Sequence, residues 1–125
     1  MPYTVHQLAT LANISVRTLH YYDEIDLLKP SSIAKNGYRY YEDKELICLQ
    51  QILFFRELEF SLEDIKRMMR RSDFRIVDAL RDQKKLMRLK RDRIDGLIKS
   101  IDKTIRRMDN HQKIQDEELY DAFKD

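Results

Sequence analysis

Residues 4–24 read TVHQLATLANISVRTLHYYDE, and their pattern predicts the fold of the N-terminal part of the chain. Thr4 and Gln7 have the spacing of a capping box, in which the threonine hydroxyl accepts from a free backbone N–H and the glutamine side chain reaches back to the cap. Apolar residues then recur at helical spacing, so the pattern predicts a short first helix over roughly 4–11.

A second helix is predicted immediately after a tight turn. Asn13 suits the turn because asparagine tolerates the left-handed backbone conformation, and Ser15 can cap a helix that continues through about Glu24. Val16, Leu19 and, at the same helical spacing, Tyr22 would form the inner face of this helix. Two short capped helices around a tight turn predict a helix-turn-helix.

A small β-hairpin, or wing, is predicted at residues 33–41. The dipeptide Asn36-Gly37 lies between β-prone segments, and it is a strong hairpin signal because both positions of a two-residue turn need positive φ. Side chains of a strand alternate between its faces, so Arg39 is expected opposite Tyr38 and Tyr40. An arginine on a wing is a natural contact for a DNA phosphate or the minor groove, although by itself an ordinary exposed arginine is the simpler interpretation.

The pattern after the wing predicts three further helices, over 42–56, from Ser61 onward, and over about 75–110. On the last of these, apolar residues recur every seven positions with further isoleucines between them, which is typical of a coiled-coil seam. The predicted dimerisation seam comprises Met87, Ile94, Ile98, Ile101, Ile105 and Met108. Gly96 lies within this helix at a cost of about 1 kcal/mol relative to alanine, and the sequence gives no reason for it.

Exposed residues on the second predicted helix have the chemistry to reach DNA. Arg17, Thr18 and Tyr21 project away from the inner face formed by Val16 and Leu19. Arginine binds phosphate or guanine, and a tyrosine hydroxyl binds phosphate. A solvated arginine and partly buried tyrosines explain this helix alone equally well, and the wing that follows shifts the balance towards DNA.

The charge balance does not by itself identify a nucleic-acid partner. The formal net charge is only +2, and residues 1–71 contain equal numbers of basic and acidic side chains. A DNA-binding surface would therefore depend on the placement of charge rather than on its excess.

Several other classes of protein are not expected. The single cysteine, Cys48, excludes a disulfide within the chain, and the three histidines are too scattered for a metal site, so we expect no metal or other cofactor. No set of nucleophile, base and orienting residue is visible, so we expect no enzyme. The absence of a signal peptide and of a long apolar segment predicts a soluble, cytoplasmic protein without a membrane partner.

The order of these motifs resembles the MerR family of transcription regulators. The resemblance rests on TVHQLA at 4–9, RTLHYYD at 17–23 and GYRYY at 37–41, and it extends over residues 1–110. The segment LQQILFF at 49–55 and the C-terminal tail further resemble the TipA-like, drug-responsive branch of this family.

The resemblance implies a mainly α fold, a winged helix-turn-helix followed by a long antiparallel coiled-coil dimerisation helix. Members of the family bind a palindrome in an overlong promoter spacer and twist that DNA so that RNA polymerase can engage both promoter elements. The chain is therefore expected to be a transcription activator whose partners are double-stranded promoter DNA, RNA polymerase and a second copy of itself.

The resemblance also implies which residues contact DNA. They are Arg17, Thr18, Tyr21 and Tyr22 on the recognition helix, Tyr38 and Arg39 on the wing, and Thr4 near a phosphate at the positive end of the first helix. His20 also belongs to this set, but many members of the family have arginine at this position. A neutral histidine binds phosphate less strongly than arginine does.

The predicted organisation has three parts. They are a winged helix-turn-helix DNA-binding domain at 1–71, a dimerisation helix at 72–110, and a polar acidic tail or the start of an effector domain at 111–125. The residues after 110 are too few for a pocket of drug size, so we expect this chain to act without a small molecule. The alternative is a coiled-coil interaction protein without sequence-specific DNA binding, which explains the long helix but gives the capped helices and the wing no purpose.

Overall fold

The computed structural model describes residues 2–124 and is mainly helical, with one small antiparallel sheet. In chain order the elements are β1 (Tyr3–Thr4), α1 (Val5–Ala12), α2 (Val16–Glu24), β2 (Ser32–Ile33), β3 (Arg39–Tyr41), α3 (Asp43–Glu57), α4 (Leu62–Met69), α5 (Ile76–Asp109) and α6 (Asp116–Leu119), followed by a 3₁₀ turn at Asp121–Phe123. The predicted fold class is confirmed. None of the helices in residues 2–124 has the length and apolar character needed to cross a membrane.

The helix-turn-helix forms from α1 and α2, and both predicted caps are present. The Gln7 N–H donates to Thr4 Oγ1 at 3.1 Å and the Thr4 N–H donates to Gln7 Oε1 at 2.9 Å, which completes the capping box. Asn13 has the expected left-handed conformation, with φ of 56°. Ser15 Oγ accepts from the Thr18 N–H at 3.0 Å, so the start of α2 is fixed by its own side chain.

The sheet has three strands where the sequence predicts two. β1 pairs antiparallel with β3, with Tyr3 opposite Tyr41, and β2 pairs with the other edge of β3, with Ser32 opposite Tyr40. β1 contains only two residues and runs directly into the cap of α1, so no alternating pattern marks it in the sequence.

The loop of the wing also differs from the expected two-residue turn. The Gly37 N–H donates to the Ala34 carbonyl at 2.9 Å, and the Ala34 N–H donates to the Tyr38 carbonyl at 2.8 Å, which leaves a three-residue loop. Gly37 has φ of 87°, whereas Asn36 does not have positive φ. Asn36 instead accepts the Tyr38 N–H through its side-chain oxygen at 3.1 Å. This is the three-residue hairpin loop with glycine in the left-handed position.

Residues 2–83 form the first of two structural units and enclose its hydrophobic core. Fully or nearly buried members of the core are Val5, Leu8, Ala9, Leu19, Tyr22, Leu28, Tyr41, Leu49, Ile52, Phe55 and Ile65. The ring of Phe55 meets that of Phe60 edge-on, with centroids 5.4 Å apart. Helices α2, α3 and α4 therefore all contribute buried side chains to one core.

Two glutamines make a polar contact inside this unit. Gln51 on α3 and Gln83 on α5 are both buried, and Gln83 Nε2 donates to Gln51 Oε1 at 3.2 Å. Gln51 Nε2 and Gln83 Oε1 find no hydrogen-bond partner among residues 2–124. A buried polar group without a hydrogen-bond partner costs about 1–3 kcal/mol of stability. The two unpaired groups therefore offset the stability that the hydrogen bond between the glutamines contributes.

The second unit consists of the rest of α5 and the residues that follow it, 84–124. The sequence predicts a polar acidic tail or the start of an effector domain after α5, and the structure folds this segment back onto the helix. Ile114 is buried, and Arg107 Nη1 pairs with Asp116 Oδ1 at 2.9 Å. The Arg93 guanidinium lies over the Phe123 ring, 5.5 Å from its centroid. We call residues 111–124 the docked tail.

The docked tail explains why position 96 holds a small residue. A Cβ added at Gly96 would lie 3.6 Å from the Ala122 Cβ, an ordinary van der Waals distance. Alanine therefore fits at this position, but a longer side chain would enter the space of the tail. The glycine is compatible with a close approach between helix and tail that helical periodicity alone does not reveal.

Candidate nucleic-acid interface

The outer face of α2 carries exposed polar residues that were expected to contact DNA. Arg17 and Tyr21 are exposed, whereas Thr18 and His20 are half-buried. Thr18 Oγ1 lies 2.8 Å from Ser15 Oγ, so its hydroxyl is engaged at the cap. An exposed arginine and tyrosine on the second helix of a helix-turn-helix supply donors suited to a base edge and a phosphate.

Tyr22 occupies a different environment from its neighbour Tyr21. Only 6% of Tyr22 is exposed, and its ring belongs to the hydrophobic core. Burial raises the pKa of its hydroxyl, against an opposing effect of the nearby Arg56 charge. The structure therefore shows the Tyr22 ring packed beneath α2, and a contact between Tyr22 and DNA stays a prediction.

The wing presents its two predicted contact residues differently. Tyr38 is exposed at the end of the loop, but Arg39 is only partly exposed. Arg39 Nε donates to Asp23 Oδ2 at 3.0 Å. The sequence pattern places Arg39 on one face of a strand but does not reveal this partner, since the two residues lie on different elements.

Asp23 is the centre of a small charged network at the end of α2. Its Oδ1 accepts from Lys29 Nζ at 2.9 Å, and Lys29 Nζ also lies 3.0 Å from Asp26 Oδ1. Burial acts to raise the pKa of Asp23, but hydrogen bonds and the positive charges of Lys29 and Arg39 outweigh it and hold the pKa below its ordinary value. Asp23 is therefore an ionised anchor between the helix and the wing at neutral pH.

Thr4 lies where α1 meets the sheet, and most of its polar groups are occupied. Its hydroxyl oxygen accepts from the Gln7 N–H, and its own N–H donates to the Gln7 side chain. The hydroxyl proton is the group that remains to donate to a phosphate.

A basic cluster on α4 was not anticipated from the sequence. Lys66 and Arg67 of α4, with Arg70 and Arg71 directly after it, line one concave surface that also includes Glu63. Arg67 pairs with Asp64 at 3.1 Å, and Arg70 Nη2 donates to the Asp26 carbonyl at 3.3 Å. The spacing of these residues is the signal that predicts such a cluster, because positions three and four apart share a helix face. Cations also suit the C-terminal end of a helix through its dipole, so the cluster has a structural role even without a ligand.

Within residues 2–124 no group of three metal-ligating side chains is close enough to hold a metal ion. His6 lies on α1, His20 on α2, and His111 follows α5. Cys48 is half-buried on α3, and burial raises the pKa of its thiol. A raised pKa disfavours the reactive thiolate, so Cys48 serves in packing.

The second unit carries an exposed apolar stripe along α5. Its most exposed members are Ile101, 59% exposed, and Met108, 71% exposed, and Ile94, Ile98 and Ile105 lie between and beside them. Met87, the first predicted seam residue, is half-buried. The docked tail does not cover this stripe. Its residues are those of the predicted seam, and their role in dimerisation stays a prediction.

The sequence of this chain is similar to those of known transcription regulators. The family profile described as "MerR HTH family regulatory protein" matches residues 3–72, which contain the helix-turn-helix and the wing. The chain is 42% identical over 120 residues to the HTH-type transcriptional activator mta of Bacillus subtilis, a match that covers 96% of this chain and 47% of that protein. It is 52% identical over 65 residues to the HTH-type transcriptional activator TipA of Streptomyces coelicolor, covering 52% of this chain and 26% of that protein.

The fold also matches a solved structure over nearly its whole length. The crystal structure of the HTH-type transcriptional regulator SkgA from Caulobacter crescentus is 40% identical, with a TM-score of 0.91, and the match covers 99% of this chain and 89% of that chain. The chain spans about half the length of the curated relatives mta and SkgA.

Proposed function

The chain belongs to the MerR family of helix-turn-helix regulatory proteins, and from that premise we propose that it regulates transcription by binding a specific DNA sequence. The main support for this proposal is the outer face of α2, where Arg17 and Tyr21 are exposed on a helix capped by Ser15. An arginine can donate two parallel hydrogen bonds to guanine, which distinguishes it from other bases. The matched family and relatives carry the names of transcription regulators and not of enzymes.

In this proposal α2 is the recognition helix and enters the major groove. Arg17 and Tyr21 contact bases and phosphates, with Thr18 and His20 beside them, while Tyr22 supports the helix from the core. The wing residues Tyr38 and Arg39, together with Thr4, bind the DNA backbone or the minor groove. The basic cluster on α4 adds positive charge that phosphates would attract.

We assign DNA binding to residues 1–71 and dimerisation to residues 72–110. The support for a homodimer is the stripe that includes Ile98 and Ile101, because a row of exposed isoleucines on a helix is stabilised when a second apolar face covers it. A second copy running antiparallel, as the family resemblance implies, would cover the stripe along its length. Two copies present two recognition helices, which suits a palindromic DNA site.

The homodimer, in this proposal, activates transcription by twisting an overlong promoter spacer until RNA polymerase engages both promoter elements. Similarity to two relatives named as transcriptional activators supports this role. Deforming DNA costs free energy, which additional contacts between protein and backbone offset.

The test is the selection of duplexes from a random DNA library by the purified chain. The wild type should enrich one palindromic sequence, and Arg17→Ala should lose that enrichment. Arg91→Ala is the matched control, because Arg91 is an exposed arginine on α5 paired with its neighbour Asp92 at 3.1 Å. A wild-type chain that dimerises but enriches no sequence would contradict the proposal and favour a coiled-coil interaction protein.

A further inference from the structure

The contact between Asp23 and Arg39 joins the two elements that are proposed to meet DNA. Asp23 is in the last turn of α2, and Arg39 begins β3 of the wing. The Asp23 side chain is only 13% exposed and that of Arg39 is 33% exposed, so the bond between them is shielded from bulk water on the aspartate side. A partly buried, charge-assisted hydrogen bond is stronger and more directional than an exposed ion pair.

The geometry of the bond leaves the rest of the guanidinium free. Asp23 accepts through Oδ2 from Nε of Arg39, while its other oxygen is taken by Lys29. The terminal nitrogens of Arg39 make no hydrogen bond to any residue in the described part of the chain. They carry four of the five N–H donors of the guanidinium, in the planar arrangement that binds a phosphate with two parallel bonds.

We propose that Asp23 is a positioning residue for DNA binding, which fixes Arg39 of the wing to the recognition helix with its terminal nitrogens free to bind a phosphate. This inference rests on the proposed function. It adds that an acidic side chain near the DNA promotes binding, since ordering Arg39 in advance removes part of the entropy cost of ordering it in the complex.

The opposite interpretation makes an opposite prediction. If Asp23 were merely an acid near the interface, its negative charge would repel phosphates, and removing the charge would strengthen binding. If Asp23 positions Arg39, removing the charge releases the guanidinium and weakens binding. The sign of the effect therefore separates the two roles.

Asp26 offers a matched control at the same end of α2. It also carries a negative charge and also pairs with Lys29, at 3.0 Å, but it does not contact Arg39. Its φ of 59° is a left-handed conformation that asparagine tolerates well. Asp26→Asn therefore removes the same charge and disturbs the same lysine while leaving Arg39 bound.

The experiment measures affinity for the selected duplex, and its salt dependence, for Asp23→Asn, Asp26→Asn, Arg39→Ala and the double variant Asp23→Asn/Arg39→Ala. Asp26→Asn should bind at least as tightly as the wild type, and Asp23→Asn should bind roughly fivefold to tenfold more weakly. The salt slope should become less steep by about one phosphate contact in both Asp23→Asn and Arg39→Ala. The double variant should bind like Arg39→Ala, because Asp23 acts through that residue.

Outcomes that overturn the proposal are distinct from those that overturn the proposed function. Tighter binding by Asp23→Asn, or losses that multiply in the double variant, would overturn the positioning role while leaving DNA binding intact. A wild-type chain that binds no duplex would overturn both.

A second measurement uses the wild-type protein, so it does not depend on whether any variant folds. In the free wild-type protein, NMR should show an Arg39 Nε–H signal that is protected from solvent exchange and does not move on addition of DNA, whereas the terminal N–H signals should shift. An Arg39 Nε–H that exchanges as fast as those of exposed arginines such as Arg17 would overturn the proposal.

Discussion

The two structural units treat their apolar residues in opposite ways. In residues 2–83, Leu19 and its neighbours are buried within one chain, whereas in residues 84–124 the side chains of Ile98 and Ile101 are at least half exposed. The first unit therefore completes its core alone, and the second presents an apolar surface suited to another molecule. The stability of the first unit is therefore a property of one chain, while the stability of the second should depend on protein concentration.

The largest effect should come from placing charge on the exposed stripe. Ile98→Asp combined with Ile101→Asp should abolish dimerisation, because carboxylates in an apolar seam lose hydration without gaining a partner. Light scattering coupled to size-exclusion chromatography measures the change from dimer to monomer. Lys99→Asp is the control, since it introduces an acid between the two positions at a residue outside the seam. A double variant that stays dimeric would show that this stripe is not the interface.

A large effect is also expected in the first unit, but on folding rather than assembly. Leu19→Ala removes a fully buried side chain and should lower the free energy of unfolding by about 2–5 kcal/mol. Denaturant unfolding measures this loss, and dimerisation should persist under native conditions. Leu11→Ala, at a residue that is 58% exposed, should change stability far less. Equal losses for the two variants would contradict the assignment of the core.

A smaller effect is expected at the buried glutamine pair of the first unit. Gln83→Ala leaves Gln51 Oε1 without its donor and should cost about 1–3 kcal/mol. Gln51→Met combined with Gln83→Met should be neutral or stabilising, because it removes the two unmet polar groups while nearly preserving volume. Thermal unfolding distinguishes these outcomes. If the double variant is destabilised as much as Gln83→Ala, the two amides contribute more to the free energy of unfolding than their contacts indicate.

The smallest effect is expected at Gly96 in the second unit. Gly96→Ala should stabilise α5 by up to about 1 kcal/mol, since the added methyl meets Ala122 at a normal contact distance. Leucine has nearly the helix propensity of alanine, but Gly96→Leu should displace the docked tail. Amide hydrogen exchange around Ile114 and Ala122 should therefore be slow in the alanine variant and faster in the leucine variant. Equal protection of the tail in both variants would contradict this packing of the docked tail against α5.

The features that the sequence predicts correctly are those set by neighbouring residues. The Thr4–Gln7 capping box, the Ser15 cap and the left-handed Asn13 each depend on chemistry within one turn of chain. The exposed apolar stripe on α5 likewise follows from periodicity, because helical spacing fixes which residues share a face. Its role as a dimerisation seam stays a prediction.

The features that the sequence misses depend on residues brought together by the fold. Asp23 and Arg39 lie on different elements, and no local pattern links their charges. The same holds for the docked tail, whose contact between Arg93 and Phe123 crosses a long interval of chain. Tyr22 carries two signals, because helical spacing places it on the inner face of α2 whereas the family resemblance assigns it to DNA, and its ring lies in the core.

The pairing of β1 with β3 has a consequence for the order of folding. Because Tyr3 lies opposite Tyr41, the sheet closes a loop of chain that contains both α1 and α2. Closing a long loop has a greater entropy cost than forming a local hairpin, so the helix pair and the β2–β3 hairpin should form before β1 joins them. β1 would then be the last strand to enter the sheet and the first to leave it, and the wing would keep its hairpin through such an opening.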